Sequence, residues 1–494
     1  MREINLSPPN IARGPVMPLR MLFSVCVLLC LMSSPCLAQV EREQVLNTLE
    51  RACDFYIENC SKHGGYDWRY SKNLKLTEGE AETDEYTIWV QPPGTPAIGM
   101  SLLDAYELTG QEKYREAALN TAEALLQGQM QSGGWYYSIS FDEEERKKWG
   151  YRDNQSFKLN PSRKNKTNTT TLDDDTTPAA VRFMVRMDGT LKFKNPKIHD
   201  SCMFALNALI QAQHPVGGWA QNWDRHPRKP VWPKYPVLNA SYPEDWSREW
   251  LNDWTGKYYL NDNVTGNMIS TMLLAWDVYG DQEYLNCAKR AGDFLVRAQM
   301  PIPQQGWCQQ YNEEMHPVWD RKFEPPALAS DETQETIEIL MQLFEKSGDK
   351  KYLEPIPGAL TCLKSCLLKD GQLARFYELK TNRPLYFEVI DGKYHLTYDD
   401  SNLPTHYAFK IPAKIEKYES EYRRLTKEPI RQKSPRKPSQ DRINSLITSL
   451  DDRGAWVDSG NMKGYNKASK EGVIESETFV KNVRDLCDYL RVTK

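Results

Sequence analysis

The chain has 494 residues, of which 40% are hydrophobic, so it is long enough to bury a large core in one or two domains. Its formal net charge of −4 offers no strongly basic surface, and we therefore expect no nucleic-acid partner. The 14 tryptophans and 26 tyrosines are compatible with a sugar-binding cleft, but equally with a helical core.

The N-terminus has the pattern of a secretory signal. Arg13 and Arg20 precede the apolar run Met21–Met32, which is too short to span a bilayer, and small residues up to Ala38 suit cleavage. We therefore predict a signal peptide over residues 1–38 and a secreted or periplasmic protein. No later stretch is apolar enough for a membrane helix, and we expect a monomer without membrane contact after cleavage.

Two short patterns recur along the rest of the chain. The first ends an amphipathic helix with Gln, a glycine turn and Trp, in Leu125–Trp135, Leu209–Trp219 and Leu295–Trp307. The second joins two helices through Thr109–Tyr114, Tyr279–Tyr284 and Ser347–Tyr352, each with a Gly at the helix C′ position.

Such self-similarity is typical of repeated helical hairpins, which can close into a ring of inner and outer helices. We therefore predict an all-α fold for residues 39–494, an incomplete (α/α) toroid in a single domain. Long loops and short β-hairpins would line a cleft at one end, and Arg375–Thr397 reads as one such hairpin. We expect residues 413–445 to be exposed and mobile, since their charge is high.

Three consecutive carboxylates, Asp173, Asp174 and Asp175, precede an apolar helical stretch. Asp175 or a neighbouring threonine could simply cap this helix, with Pro178 in its first turn. Three adjacent carboxylates exceed what capping needs, because they repel one another unless a cation holds them. The residues alone leave both interpretations open.

A second acidic group, Asn261-Asp262-Asn263, also opens a helix. Carboxylates that open two separate helices could share one Ca²⁺, which prefers oxygen ligands. Arginines follow in the run Trp319–Glu324 and at Arg375 and Arg383, and a guanidinium matches a carboxylated ligand. Each residue alone also has a plainer interpretation, as a helix cap or a surface ion pair.

Between Thr169 and Asp391 the chain carries, in order, TLDDDTT, GGWAQN, LNDN, GWCQQYNEE, DRKFEPPALAS, and ARFYE followed by NRP. As a set, these motifs resemble the family 10 polysaccharide lyases, pectate lyases with an incomplete (α/α) toroid. The family's first acidic position falls on Asp173, its N-D-D stretch on Asn261–Asn263 and its R-A-F-E stretch on Arg321–Glu324.

The resemblance implies a secreted pectate lyase that cleaves polygalacturonate, in pectin or its oligosaccharides, by Ca²⁺-assisted β-elimination. Asp173 and Asp262 would hold the Ca²⁺ together with the substrate's carboxylate, and Arg321 would act as general base. These three are the predicted catalytic residues.

Four further residues are predicted to bind the substrate. Arg375 and Arg383 would meet its carboxylates, and Trp219 and Trp307 lie where the polar loops of the cleft begin. The other interpretation of the two tryptophans is that their glycine turns only pack against the helices.

The chain departs from the family pattern in three places: Asn263 replaces an acid, Tyr311-Asn312 replaces a His-Asp pair, and Val389–Gly392 lacks an arginine. Two alternatives therefore stand beside the lyase. One is a toroid glycoside hydrolase acting on an acidic polysaccharide through Asp262 with Glu313 or Asp173. The other is a catalytically weakened protein that binds such a polysaccharide.

Overall fold

Helices follow one another in pairs along the chain, as the repeated turns predict. The computed structural model describes residues 41–228, 237–428, 436–465 and 472–493; the predicted signal peptide, residues 1–38, lies outside them. The α-helices in the described residues are α1 (Arg42–Phe55), α2 (Thr95–Thr109), α3 (Glu112–Gly128), α4 (Glu143–Arg146), α5 (Thr176–Thr190), α6 (Pro196–Ala212), α7 (Val264–Tyr279), α8 (Gln282–Ala298), α9 (Ser330–Ser347), α10 (Ile356–Ser365), α11 (Ile415–Lys427), α12 (Gln440–Ser449) and α13 (Ser476–Val492).

An inner row of helices packs side by side in the order α13, α2, α5, α7 and α9, and α11 packs on α9. Helices α3, α6, α8 and α10 each follow an inner helix in the chain and lie outside the row. The inner helices are apolar on most sides, because they pack against one another and against the outer helices. Ile98, Leu102 and Leu103 of α2 are buried in this way. The described chain is therefore an incomplete (α/α) toroid, and the predicted fold class is confirmed.

Short antiparallel strands connect the helices. They are β1 (Arg69–Ser71), β2 (Thr77–Glu78), β3 (Glu82–Thr83), β4 (Thr87–Trp89), β5 (Ser138–Ser140), β6 (Thr170–Thr171), β7 (Asn222–Trp223), β8 (Tyr258–Tyr259), β9 (Gln310–Tyr311), β10 (Ala327–Ala329), β11 (Gln372–Ala374), β12 (Phe376–Glu378), β13 (Pro384–Ile390), β14 (Lys393–Thr397), β15 (Lys410–Pro412) and β16 (Val473–Glu475). Two sheets have four strands, in the orders β16-β1-β2-β3 and β10-β12-β13-β14. The pairs β4–β5, β6–β7, β8–β9 and β11–β15 complete the pairing among described residues, and no strands there close a barrel.

The hairpin glycines adopt the conformation that the sequence predicts. Gly110, Gly280 and Gly348 follow α2, α7 and α9 with φ of 69°, 72° and 71°. A Cβ at any of the three would meet no atom within 4 Å. Glycine is favoured there because of the left-handed backbone and not because of crowding.

The glycine turns that end in Trp join neighbouring hairpins. The glutamine of each turn donates from Nε2 to a backbone carbonyl at the next outer helix: Gln129 to Ser201 at 3.0 Å, Gln213 to Cys287 at 3.0 Å, and Gln299 to Pro355 at 2.8 Å. The indole N–H groups donate back to the preceding helix: Trp135 to Leu125, Trp219 to Leu209, and Trp307 to Leu295. A fourth copy, in which Trp456 donates to Leu446 O at 3.0 Å, was not recognised in the sequence.

Two helices cross the segment 413–445, and most of their described residues are exposed or half-exposed, while the predicted mobility stays a prediction. Helix α11 buries Ile415, Tyr418 and Leu425, and α12 buries Ile443 and Leu446. Residues 429–435 lie outside the described chain. Within that chain, none of the helices combines the length and apolar character that crossing a bilayer requires.

Candidate active site

Two helices of the inner row begin with the same unusual turn. A 3₁₀ turn over Asp173–Asp175 leads into α5, and another over Asn261–Asn263 leads into α7. In both, the second and third residues have positive φ: 45° and 61° in the first turn, 51° and 54° in the second. Strands β6 and β8 lead into these turns, and the two turns contact each other, so both lie at the same end of the toroid.

The two turns place three carboxylates together. One oxygen from each of Asp173, Asp174 and Asp262 lies within 4.8 Å of the other two, and we call these residues the acidic cluster. Asp175 is directed away, because it pairs with Arg182 of α5. The capping interpretation of Asp175 is therefore wrong: the residue is the N-cap by position, but its side chain makes no cap hydrogen bond.

Neutral donors hold the cluster in place. Tyr137 Oη donates to Asp173 at 2.6 Å, and Gln221 Nε2 donates to the other oxygen of Asp173 at 2.7 Å. Gln91 Nε2 donates to Asp174 at 2.7 Å. These bonds orient the carboxylates without cancelling their charge.

The charges of the cluster oppose one another. Burial, followed by the charges of Asp173 and Asp174, raises the pKa of Asp262 well above its ordinary value. Asp174 is exposed to solvent on one side, yet burial of its carboxyl and the neighbouring Asp173 raise its pKa to about 6. Three oxygen donors that repel one another fit a hard divalent cation such as Ca²⁺, which would relieve this repulsion.

Arg321 lies against the cluster. Its Nη2 is 3.3 Å from Asp262 Oδ2, and its Nε donates to Glu324 Oε2 at 2.8 Å. Burial alone would lower the pKa of Arg321, but the carboxylates of Glu324 and Asp262 raise it overall. The guanidinium is thus held in its charged form, with its side chain 38% exposed.

Arg375 is connected to the same group of residues. Its guanidinium lies 4.6 Å from the ring centroid of Tyr407, whose hydroxyl donates to Glu324 Oε1 at 3.2 Å. A second contact, from Nη2 to Asp331 at 3.2 Å, fixes its position. The structure therefore brings Asp173, Asp262, Arg321 and Arg375 to one end of the toroid.

The other predicted substrate-binding residues are placed differently. Trp219 and Trp307 are fully buried, so neither ring offers a face to a ligand, and their prediction as substrate-binding residues is corrected. They are the packing residues of the glycine turns. Arg383 is exposed at the turn between β12 and β13, with its guanidinium 3.6 Å from the Tyr398 ring centroid. Glu313, a candidate acid of the hydrolase alternative, pairs with Lys257 at 3.6 Å.

Sequence reasoning missed how the glycine turns supply the site. The residue two positions after each buried Trp points at an opening turn: Tyr137 and Gln221 reach Asp173, and Gln309 Nε2 donates to Asn261 Oδ1 at 2.9 Å. The repeated W-x-Q in GGWAQN and GWCQQ was a visible signal of this role.

Asp174 was missed as a member of the cluster for a similar reason. It occupies the same place in its turn as Asp262, which aligning LDDD with LNDN would have indicated. Glu324 was noted only as part of a charged run, although it is fully buried and makes the closest contact of Arg321.

The fold and the site define the class of protein: an (α/α) toroid with a cluster of carboxylates and arginines at the end where its inner helices begin. Residues 140–373 match the family model described as pectic acid lyase. The resemblance to pectate lyases is therefore confirmed over these residues, and the chain is similar to polysaccharide lyases.

The solved structures to which the chain is similar share little sequence with it. A mutant family 10 polysaccharide lyase from Cellvibrio cellulosa, in complex with trigalacturonic acid, is 17% identical with a TM-score of 0.41, covering 66% of this chain and 95% of that one. A D-mannose isomerase is 13% identical (TM-score 0.47, 92% and 98% covered), and the cellobiose 2-epimerase from Bacillus thermoamylovorans is 14% identical (TM-score 0.47, 92% and 99% covered). No curated protein matches the chain in sequence.

Proposed function

We propose that the chain is an exported, Ca²⁺-dependent pectate lyase that cleaves polygalacturonate by β-elimination. The observation that carries this proposal is the position of Arg321, whose Nη2 lies 3.3 Å from Asp262 of the acidic cluster. A candidate cation site and a guanidinium thus adjoin one another, in the region that matches the pectic acid lyase model.

Asp173, Asp174 and Asp262 would hold the cation. When bound beside a substrate carboxylate, Ca²⁺ supplies positive charge that makes the proton at C5 of the uronate more acidic. Tyr137 and Gln221 keep the carboxylate of Asp173 oriented toward the cleft. Asp175 takes no part, because Arg182 neutralises it.

In the elimination, Arg321 accepts the C5 proton as the C4–O bond breaks and a C4=C5 double bond forms. The departing glycosyl oxygen takes up a proton, so that the overall reaction consumes no water. Glu324 and Asp262 raise the pKa of Arg321, which opposes this role. Engagement of Asp262 with a cation would weaken one of those two contacts, and we therefore expect turnover to increase with pH in the alkaline range.

Arg375 and Arg383 would bind carboxylates of the substrate chain. Arg375 is the better placed, because Tyr407 and Glu324 connect it to Arg321. Its planar guanidinium can bind a uronate carboxylate with two parallel hydrogen bonds.

The test is the formation of an unsaturated product, which absorbs ultraviolet light. Purified protein with polygalacturonate should show a steady rise in absorbance with Ca²⁺ and none in excess chelator. Arg321→Ala should abolish the rise, whereas Arg423→Ala on the exposed face of α11 should leave it unchanged. Near-full turnover by Arg321→Ala would remove Arg321 as the base.

A glycoside hydrolase acting on an acidic polysaccharide is the second candidate. It is favoured by the pKa of about 6 at Asp174, which burial and Asp173 raise, since a protonated acid beside a carboxylate is what hydrolysis needs. Hydrolysis would release reducing ends without ultraviolet absorbance. Binding without either product would support the third candidate, a polysaccharide-binding protein.

A further inference from the structure

A cavity of about 730 Å³ lies beside the loop that carries Arg321. It is bounded by Arg248 and Trp250 of the loop before β8, by Trp319 and Lys322, and by the β13–β14 hairpin with Lys393. We call it the hairpin cavity. Its volume suits one or two sugar rings, and none of its lining residues belongs to the acidic cluster.

The hairpin cavity is physically tied to the loop of Arg321. Trp250 Nε1 donates to the backbone carbonyl of Asp320 at 2.8 Å, and Trp319 Nε1 donates to that of Ser247 at 2.8 Å. Lys322, the residue after Arg321, extends into the cavity, where its Nζ lies 4.6 Å from the ring centroid of Tyr394. A ligand in the cavity would therefore lie next to the candidate active site.

Aromatic rings continue from the cavity to the active site. The ring of Phe323 is 5.5 Å from Tyr394 in the cavity and 4.9 Å from Tyr407, measured between centroids. The Tyr407 ring in turn stacks against the guanidinium of Arg375, and its hydroxyl donates a hydrogen bond to Glu324. One extended molecule could contact both places along this surface.

The charges of the cavity favour an anion. Arg248 is already paired with Glu378 at 3.0 Å. Lys322 and Lys393, both exposed, have no carboxylate within ion-pair distance among the residues that the structure describes. Arg248 and Glu378 neutralise each other, and Glu249, which also lines the cavity, offsets one of the two lysines. The lining therefore keeps a net positive charge.

The rings of the cavity favour a sugar as the carrier of that anion. Trp250 and Tyr394 line the cavity and are only half-buried, so part of each side chain is accessible there. An apolar ring face beside unpaired ammonium groups matches a uronate, which combines a C–H face with a carboxylate.

We propose that the hairpin cavity is a second binding site for the same acidic polysaccharide, holding a uronate unit several residues away from the bond that is cleaved. The identity of the polysaccharide rests on the proposed function; the preference for an anionic sugar rests on the cavity alone. The site gives longer chains an affinity that short ones lack.

The experiment compares Lys322→Ala/Lys393→Ala with the unsubstituted protein in binding to a long oligogalacturonate, by calorimetry in excess chelator. The double variant should bind about tenfold more weakly, and its affinity should depend less on salt, because two charge contacts are lost. The control is Lys194→Ala/Lys197→Ala, which should bind normally. Both lysines are exposed at the opposite end of the toroid, Lys194 just before α6 and Lys197 in its first turn.

Two further ligands separate charge from ring contact and length. A neutral galactan oligomer of equal length should bind poorly, and trigalacturonate should bind both proteins alike. Equal affinity of the double variant and the unsubstituted protein for the long oligomer would overturn the inference, as would equal binding of the galactan or no measurable binding at all.

The same samples distinguish failure of this inference from failure of the proposed function. If no unsaturated product forms but the double variant still loses affinity, the lyase proposal fails and the second site stands. If the product forms and the double variant equals the unsubstituted protein in affinity and in KM for long chains, the lyase stands and the second site fails.

Discussion

The turns that precede α5 and α7 have the same backbone conformation and differ in their side chains. Both are 3₁₀ turns whose last two residues have positive φ, and both lead directly into an inner helix. Asp174 and Asp262 occupy the same position in the two turns and meet in the acidic cluster. The repeated backbone is therefore a device that directs a carboxylate from each of two helices to one point.

The third position shows how the two turns diverge. Asp175 is neutralised by Arg182, seven residues later in α5. Asn263 has no charge to neutralise, and α7 carries Ser270 at the corresponding place. Its amide instead folds over Gly266, where an added Cβ would lie 2.0 Å from Asn263 Oδ1. In each turn, the third residue therefore adds no uncompensated charge, and the uncompensated carboxylates are those of the acidic cluster.

The largest effect should come from the position that the two turns share. We expect Asp262→Ala to lower kcat/KM on polygalacturonate by on the order of 10³-fold, because it removes a cation ligand and a contact of Arg321 together. Initial rates of ultraviolet absorbance in saturating Ca²⁺ measure this loss.

The control for this substitution is Asp452→Ala, an exposed aspartate in the turn before Trp456, which should keep full activity. Asp174→Ala should resemble Asp262→Ala if the two turns are equivalent. A fully active Asp174→Ala would show that the shared backbone does not imply a shared role.

Local patterns in the sequence were enough to predict the scaffold. Hairpin glycines such as Gly110 need a left-handed backbone at a fixed place after a helix, and the β13–β14 hairpin turns at Gly392 with φ of 74°. Such features depend on neighbours in the chain, so their residues indicate them directly.

The placement of side chains in the site depended on contacts that the sequence does not display. Trp219 looked like a sugar platform, but its indole N–H finds a buried carbonyl of Leu209, ten residues earlier. Asp175 looked like a helix cap, but its positive φ turns the side chain toward Arg182. In both cases the role of the side chain is set by the group it contacts in the folded protein, which its residue type does not reveal.

Helix α11 shows a different limit. Its charge suggested an exposed segment, yet Arg424 bonds Glu345 of α9 at 2.6 Å while Leu425 is buried. A charged outer surface concealed an apolar stripe at helical spacing, starting at Ile415.

A smaller effect tests the third position of the first turn. We expect Arg182→Met to lower the free energy of unfolding by about 2 kcal/mol, because Asp175 keeps a part-buried charge without its partner. The substitution also removes the hydrogen bond that Arg182 Nη1 donates to Thr271 Oγ1 at 3.0 Å. Denaturant unfolding measures the loss, and Arg115→Met, which breaks an exposed pair with Glu112 on α3, should change stability far less.

The pH dependence of this loss has a definite sign. Burial raises the pKa of Asp175 even with Arg182 present, and removing the guanidinium raises it further. The variant's deficit should therefore be small where the carboxyl is protonated, and it should grow as the pH rises above the ordinary carboxyl range, from the raised pKa of Asp175 toward its higher pKa in the variant. A deficit that is the same at acidic and neutral pH would show that the charge of Asp175 is not its cause.

The smallest effect comes from making the second turn resemble the first. Asn263→Asp introduces a carboxylate beside Asp262 without an arginine in place of Ser270, so we expect a loss of about 1 kcal/mol in chelator. Added Ca²⁺ should restore more stability to this variant than to the unsubstituted protein, because a fourth carboxylate then adjoins the cluster. Thermal unfolding with and without Ca²⁺ measures both changes. If Ca²⁺ raises the two melting temperatures equally, position 263 lies outside the electrostatic reach of the cluster, and the missing acid of the family pattern has no bearing on cation binding.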